Sequence, residues 1–264
     1  MIKTLSRIYT FLIFLFLYAP IFVLIVFSFN NSKSHSWKGF TFKWYEELFS
    51  NSTIMNSLLT SLTVAVIAAV VSTIIGTAAA IGIFSLKKRT RSVVMNVTYL
   101  PIINPEIVTG ISFMLLYVML FNKLNFLSIV LSHITFCIPY VIFSVLPKLR
   151  QMNPHLYEAA QDLGCKPFKA FFKAVLPEIM PGVFTGMLLA FTLSLDDFVI
   201  SYFTSGSDAQ PLPVTIFAMT RRQVSPQINA LSSILFITVL MLLLIRNIDF
   251  KNIGGKSKKR SIVH

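Results

Sequence analysis

A bundle of membrane-spanning helices is the fold class this chain predicts, and three observations predict it. The 264 residues are 55% hydrophobic and 12% charged, with a mean hydropathy of +0.74, whereas a soluble domain carries about 25% charged residues. The charges leave long gaps: none lies between Arg7 and Lys33, Lys123 and Lys148, or Arg222 and Arg246, and Glu106 stands alone between Arg91 and Lys123. A helix needs about 20 apolar residues to cross the hydrocarbon layer, and each gap has room for one. The alternating ten-residue strands of a barrel are missing, which leaves the helix as the structure that satisfies its own backbone in lipid. Cys137 and Cys165 match no zinc or redox spacing and carry no disulfide framework.

Taken in order, six spans are predicted, at 8–29, 58–84, 93–120, 126–146, 181–204 and 230–246. The first is too long for a secretory h-region of about 7–15 residues and lacks a small-x-small cleavage site, so it stays as a span. The third carries Pro101 and Pro105, which break its hydrogen-bond ladder near the middle. Orientation follows from Lys and Arg in alternate segments. Seventeen fall on the side of the N-terminus, the 87–91 run, the 147–180 loop and the tail; six fall on the other. Both termini are therefore expected in the cytoplasm. The net charge of +13 reads as this topology signal plus a basic, lipid-touching tail, not as nucleic-acid binding. Segments 30–57 and 205–229 lie outside, and 147–180 lies inside.

The inner loop is too long for an idle connection. Pro154 can open a short helix and Gly164 can close it. Leu156, Ala159, Ala160 and Leu163 form an apolar stripe at i, i+3, i+4 and i+7. Pro167 can open a second short helix, with Phe168, Phe171 and Phe172 on one face. By periodicity alone this is either a docking surface for a partner or an amphipathic connector dipping into headgroups.

The same segment resembles the EAA loop of ABC importer permeases, E-A-A-x-x-x-G followed after nine residues by I-x-L-P. Glu158, Ala159, Ala160, Gly164, Leu176 and Pro177 fall on their positions, while Ala174 replaces the Ile. Asn56-Ser57-Leu58 and the Gly76–Ala80 run look like the start of the same core, so the resemblance covers roughly 55–250. It divides the chain into an N-terminal helix and outer loop at 1–54, a permease core at 55–250 and a basic tail at 251–264. Ser194-Leu195-Asp196-Asp197, with Trp44-Tyr45, is most similar to the spermidine/putrescine branch of that family. The resemblance implies a type I importer permease with cytoplasmic coupling helices in a bacterial inner membrane. It also implies a second homologous permease subunit, a dimer of ATP-binding subunits and a periplasmic polyamine-binding protein. No G-x-x-x-x-G-K-[ST] occurs, so ATP is expected to be hydrolysed elsewhere. Neither a cofactor, a metal nor a catalytic residue is expected on this chain.

Three of the ten acidic residues fall inside predicted spans: Glu106, Asp196 and Asp197. A carboxylate at mid-bilayer costs about 2.5–3.5 kcal/mol on insertion scales, so such groups face a cavity or a partner. Asp196 lies fifteen residues beyond Pro181, about 22 Å along a helix, which puts the pair in the outward half. On a continuous helix Ser194 and Asp197 share a face and Asp196 points about 100° away. Two adjacent carboxylates repel unless a cation sits near them. A polyamine supplies such cations, and an aromatic ring such as Trp44 can hold an amine by cation–π contact. The candidate translocation residues are thus Trp44, Glu106, Ser194, Asp196 and Asp197. The plainer alternatives are that Glu106 caps a broken helix, the Asp pair salt-bridges to Arg221 or Arg222, and Trp44 and Tyr45 anchor at the interface. His133 reads as a packed, hydrogen-bonded core histidine.

Rival functions are the same machine with iron or another cation as cargo, and a proton-coupled secondary transporter, which leaves the EAA pattern unexplained. An intramembrane serine protease built on Ser207 and His133 lacks the G-x-S-x-G setting. Adjacent aspartates on a helix diverge rather than forming a dyad.

Overall fold

The computed structural model describes residues 2–33, 36–221, 226–238 and 240–241. Among these the regular secondary structure is helical apart from one isolated bridge between Asn30 and Phe40. It divides into two compact units, one formed by Met1–Met55 with Ala218–His264, the other by Asn56–Phe217.

The first unit begins with α1, Ile2–Phe27, whose Leu5–Phe27 stretch is a candidate span with none of its side chains buried. A hairpin follows. Asn31 N–H donates to the Gly39 carbonyl at 2.9 Å and Thr41 N–H to Phe29 at 2.8 Å. It leads into α2, Lys43–Ser50. The segment 30–57, expected outside the membrane, thus carries a bridge and a helix among its described residues, and the next helix starts at Ser52 rather than 58. Helical residues also occupy 226–238, and Gln227 Nε2 donates to Glu47 Oε2 at 2.7 Å. The predicted span 230–246 lies partly outside the described residues.

The second unit holds most of α3, Ser52–Ser85. Arg91 closes its C-terminus, donating to the carbonyls of Ile83 (3.1 Å), Phe84 and Leu86 (3.2 Å), where a cation also meets the negative end of the helix dipole. The third predicted span is two helices, α4 (Lys88–Ile103) and α5 (Glu106–Phe121), bent by 98° at Asn104-Pro105. Proline blocks both the ladder hydrogen bond and the helical conformation of the residue before it, and Asn104 is accordingly extended, with ψ 141°. α6, Phe126–Gln151, starts on a capping box in which Asn125 and Ser128 bond reciprocally, and is the most buried of the candidate spans among the described residues.

The 156–177 segment forms α7 (Leu156–Asp162), α8 (Pro167–Ala170), a π-helical turn at Phe171–Val175, and then α9 (Leu176–Asp196). The second short helix expected at Pro167 is thus continuous with the fifth span, as one helical run Pro167–Asp196. That span stops at Asp196 instead of reaching 204. α10, Val199–Thr204, and α11, Leu212–Thr220, come after the break. Among the described residues four helical runs are long and apolar enough to cross a membrane, and the bent α4–α5 pair makes a fifth if counted as one span.

α9 packs along α6 through Gly182-x-x-x-Gly186, a spacing that brings helices together in lipid. A β-carbon at Gly182 would lie 2.8 Å from the Ser144 carbonyl oxygen, and one at Gly186 would lie 3.2 Å from Val141 Cα. Gly182→Val is expected to destabilise the subunit by about 1–3 kcal/mol, the usual range for overpacking. A lower thermal midpoint in detergent checks this, with Gly82→Val, where no atom lies within 4 Å, as the unaffected control.

Candidate functional site

The loop between α6 and α9 is built around one backbone device. Gly164 takes φ +84°, a left-handed conformation that a side chain resists. Its N–H donates to Gln161 O at 2.8 Å while Cys165 N–H donates to Ala160 O at 3.1 Å, the paired bonds of a Schellman stop. Ala159 and Ala160, with Glu158 one residue before them, lie on α7, and Leu176 and Pro177 open α9. Glu158 reaches back to His155 at 3.1 Å on the exposed surface. Leu163 is 87% and Phe168 75% exposed. Phe168, Phe171 and Phe172 pack ring on ring, so the aromatic face anticipated from the spacing is assembled and partly open.

The second constellation sits at the break after α9. The chain leaves the helix at Asp197 with ψ 123°. The Asp197 carboxylate accepts from Ser201 N–H at 2.7 Å and from Ile200 N–H at 3.4 Å, satisfying the opening turn of α10 as a capping side chain does. His133 of α6 reaches both sides of the break. Its Nδ1 lies 2.7 Å from Ser194 Oγ, its Nε2 lies 3.1 Å from Ser201 Oγ, and Nε2 is 3.6 Å from Asp197 Oδ2. His133 is 1% and Asp197 9% exposed.

These placements sort the predicted translocation residues. Asp197 is buried, and its two carboxylate oxygens accept from backbone donors of the following turn. Ser194 does converge with it, through His133 and not by sharing the face of one continuous helix. Asp196, the last residue of α9, is exposed. Glu106, the first residue of α5, is also exposed, and the helix start has no side-chain cap. Beside it, in the elbow of the bent pair, lies a groove of about 290 Å³ lined by Asn104, Thr109, Ser112, Phe113, Thr135 and Phe136. Trp44 belongs to the other unit, where it is packed. It is 4% exposed, its Nε1 donates to the Asn30 carbonyl at 2.7 Å, and Lys43 Nζ already sits 5.7 Å from its ring centre. Arg222, offered as a partner for the Asp pair, lies outside the described residues.

His133 is the packed, hydrogen-bonded core histidine expected, while Ser201 and the convergence of its partners went unread in the sequence. The available signal was Asp197 four residues before Ser201 at the end of an apolar run, an N-cap pattern. The carboxylate facing His133 comes from another helix, which inspection of its own helix face misses.

Residues 72–253 match the model of the family described as binding-protein-dependent transport system inner membrane component. The chain belongs to this family. It is therefore the membrane permease component of an ABC importer, a multi-pass inner-membrane protein working with an ATPase and a binding protein. It is 36% identical to the spermidine/putrescine transport system permease protein PotC of Haemophilus influenzae over 238 residues, covering 90% of this chain and 93% of that one. It is 39% identical to PotC of Escherichia coli, covering 88% of each chain. The putrescine transport system permease protein PotI of Escherichia coli is 40% identical, over 84% of this chain and 82% of that one. Among solved structures, a chain of a bacterial ABC transporter involved in import of the acidic polysaccharide alginate superposes with a TM-score of 0.73, covering 95% of each chain at 13% identity. This permease thus carries an ABC importer permease fold.

Proposed function

We propose that this permease moves polyamines of the spermidine/putrescine class, paired with a second homologous permease subunit and fed by a periplasmic polyamine-binding protein. The observation that carries the reading is the position of Asp196. The C-terminal end of a helix bears a partial negative charge and is a poor place for a carboxylate. Asp196 sits there, exposed, with no other side chain bonded to it among the described residues. Such an end favours a cation, and ends of broken helices serve as cation sites in transporters. Glu106, at the opposite kind of helix end beside the groove, offers a second carboxylate for a second ammonium. The names of the curated relatives support the same cargo. The exposed faces of α7 and α8 receive the ATPase dimer, with both termini and that loop in the cytoplasm.

The test is uptake into proteoliposomes holding the complete importer, with labelled spermidine, putrescine and ferric ion offered in turn. ATP-dependent accumulation of either polyamine is expected. Accumulation of ferric ion alone would replace the cargo and keep the machine. Orientation is tested separately: reporter fusions after Lys88 and after Gln161 are expected to read cytoplasmic, and fusions after Lys38 and after Gln210 periplasmic. An inverted pattern overturns the charge-bias argument.

A further inference from the structure

We propose that His133 is a positioning residue that locks the α9–α10 break into a rigid elbow, so that displacement of the coupling loop reaches α10 and Asp196 together. The proposal rests on the reading of 156–177 as the ATPase-facing loop. The helical run Pro167–Asp196 has no interruption other than the π-helical turn, so a push at its start travels some 45 Å at 1.5 Å per residue. At its far end the backbone ladder stops, because Asp197 is extended. Beyond that point α10 is held to α9 by two residues of chain, Asp197 and Phe198, and by side chains.

The side chains have one hub. His133 bonds Ser194 on α9 and Ser201 on α10, while Asp197 bonds the backbone of α10 and faces the same imidazole. Ser128, one turn and a half earlier on α6, adds a bond to the Thr204 carbonyl at 2.9 Å. Either neutral tautomer of His133 satisfies both serines, because each hydroxyl can donate or accept. A buried polar network of this kind adds little over well-packed apolar residues in stability. Its value lies in holding one geometry, since the bonds from His133 to Ser201 and from Ser128 to Thr204 are lost if α10 swings away.

The experiment uses the assembled importer with its ATPase subunits and binding protein in proteoliposomes. Two measurements are made on wild type, His133→Leu and His133→Asn. The first is substrate moved per ATP hydrolysed. The second is the distance distribution between spin labels at Thr192 and Tyr202, both exposed, in a Cys165→Ser background where Cys137 is buried. Wild type is expected to give one narrow distribution with and without ATP. His133→Leu is expected to broaden it and to lower transport per ATP about tenfold, with hydrolysis within about twofold of wild type. His133→Asn, which keeps one bond, is expected to recover part of both. If His133→Leu does not assemble, Ser194→Ala and Ser201→Ala each cut one bond and are read the same way. A narrow distribution or an unchanged transport ratio in the variants overturns the proposal. The distance measurement needs no cargo, so failure of the polyamine reading leaves it decisive.

Discussion

Gly164→Val is expected to leave the permease inserted in the membrane and nearly abolish uptake. The position is open, with no atom within 4 Å of a built β-carbon, so the penalty is backbone strain at φ +84° rather than a clash. A left-handed conformation costs a β-carbon-bearing residue roughly 1–2 kcal/mol. Relieving it breaks the bonds from Gly164 N–H and Cys165 N–H that end α7. α7 and α8 then lose their relative aim, and 1–2 kcal/mol is a factor of about 5–30 in a docking equilibrium. Retention of the ATPase on the purified permease measures it. Gly164→Asn, which tolerates the left-handed region, should retain most of the wild-type level. Gly164→Asp should fall between them, since it tolerates the backbone but adds a negative charge at the negative end of α7. Equal ATPase retention by the Val and Asn variants would remove the backbone argument.

The difference between what was legible in the sequence and what was not follows from the range of each interaction. Spans were readable because the signal is local: an uninterrupted apolar run over charged flanks predicts Phe126–Gln151 to within five residues at its far end. The Gly164 turn was readable for the same reason, as a glycine closing a short periodic stripe. Pro105 announced a break, but a proline does not specify how far the chain turns; the 98° bend depends on what the two halves pack against. The end of α9 was missed because nothing apolar stops at Asp196, and the Phe198–Thr204 stretch is apolar enough to continue a helix. Here a side-chain cap and a histidine from another helix override the pattern. The packing of Trp44 was hidden by the same limit. Its ring looks open in the sequence, and its bond to the Asn30 carbonyl depends on a fold fourteen residues back.

Asp196→Asn and Asp197→Asn, adjacent and chemically identical changes, are expected to fail in different ways. Asp196 is exposed at the end of α9, and no fold-holding bond depends on its charge among the described residues. Asp196→Asn should therefore yield wild-type amounts of assembled importer and normal thermal stability. Uptake of a polyamine should fall sharply, since a charge-assisted hydrogen bond is worth about 1.5–3 kcal/mol, roughly 10- to 100-fold in affinity. Asp196→Glu should keep part of it. Glu106→Gln should act in the same direction and more weakly, because the positive end of α5 already screens that carboxylate. Asp197→Asn should instead lower stability, since one oxygen that accepts from Ser201 or Ile200 is replaced by an amide donor. Asp197→Ala should cost more, about 1–3 kcal/mol for leaving a buried donor unsatisfied, with about 1 kcal/mol typical for a lost helix cap. Uptake per assembled importer should fall far less in the Asp197 variants than in Asp196→Asn. Thermal melts of the purified complexes and uptake normalised to assembled complex separate the two outcomes. Normal polyamine uptake by the Asp196→Asn, Glu106→Gln double variant would remove both carboxylates from the transport path.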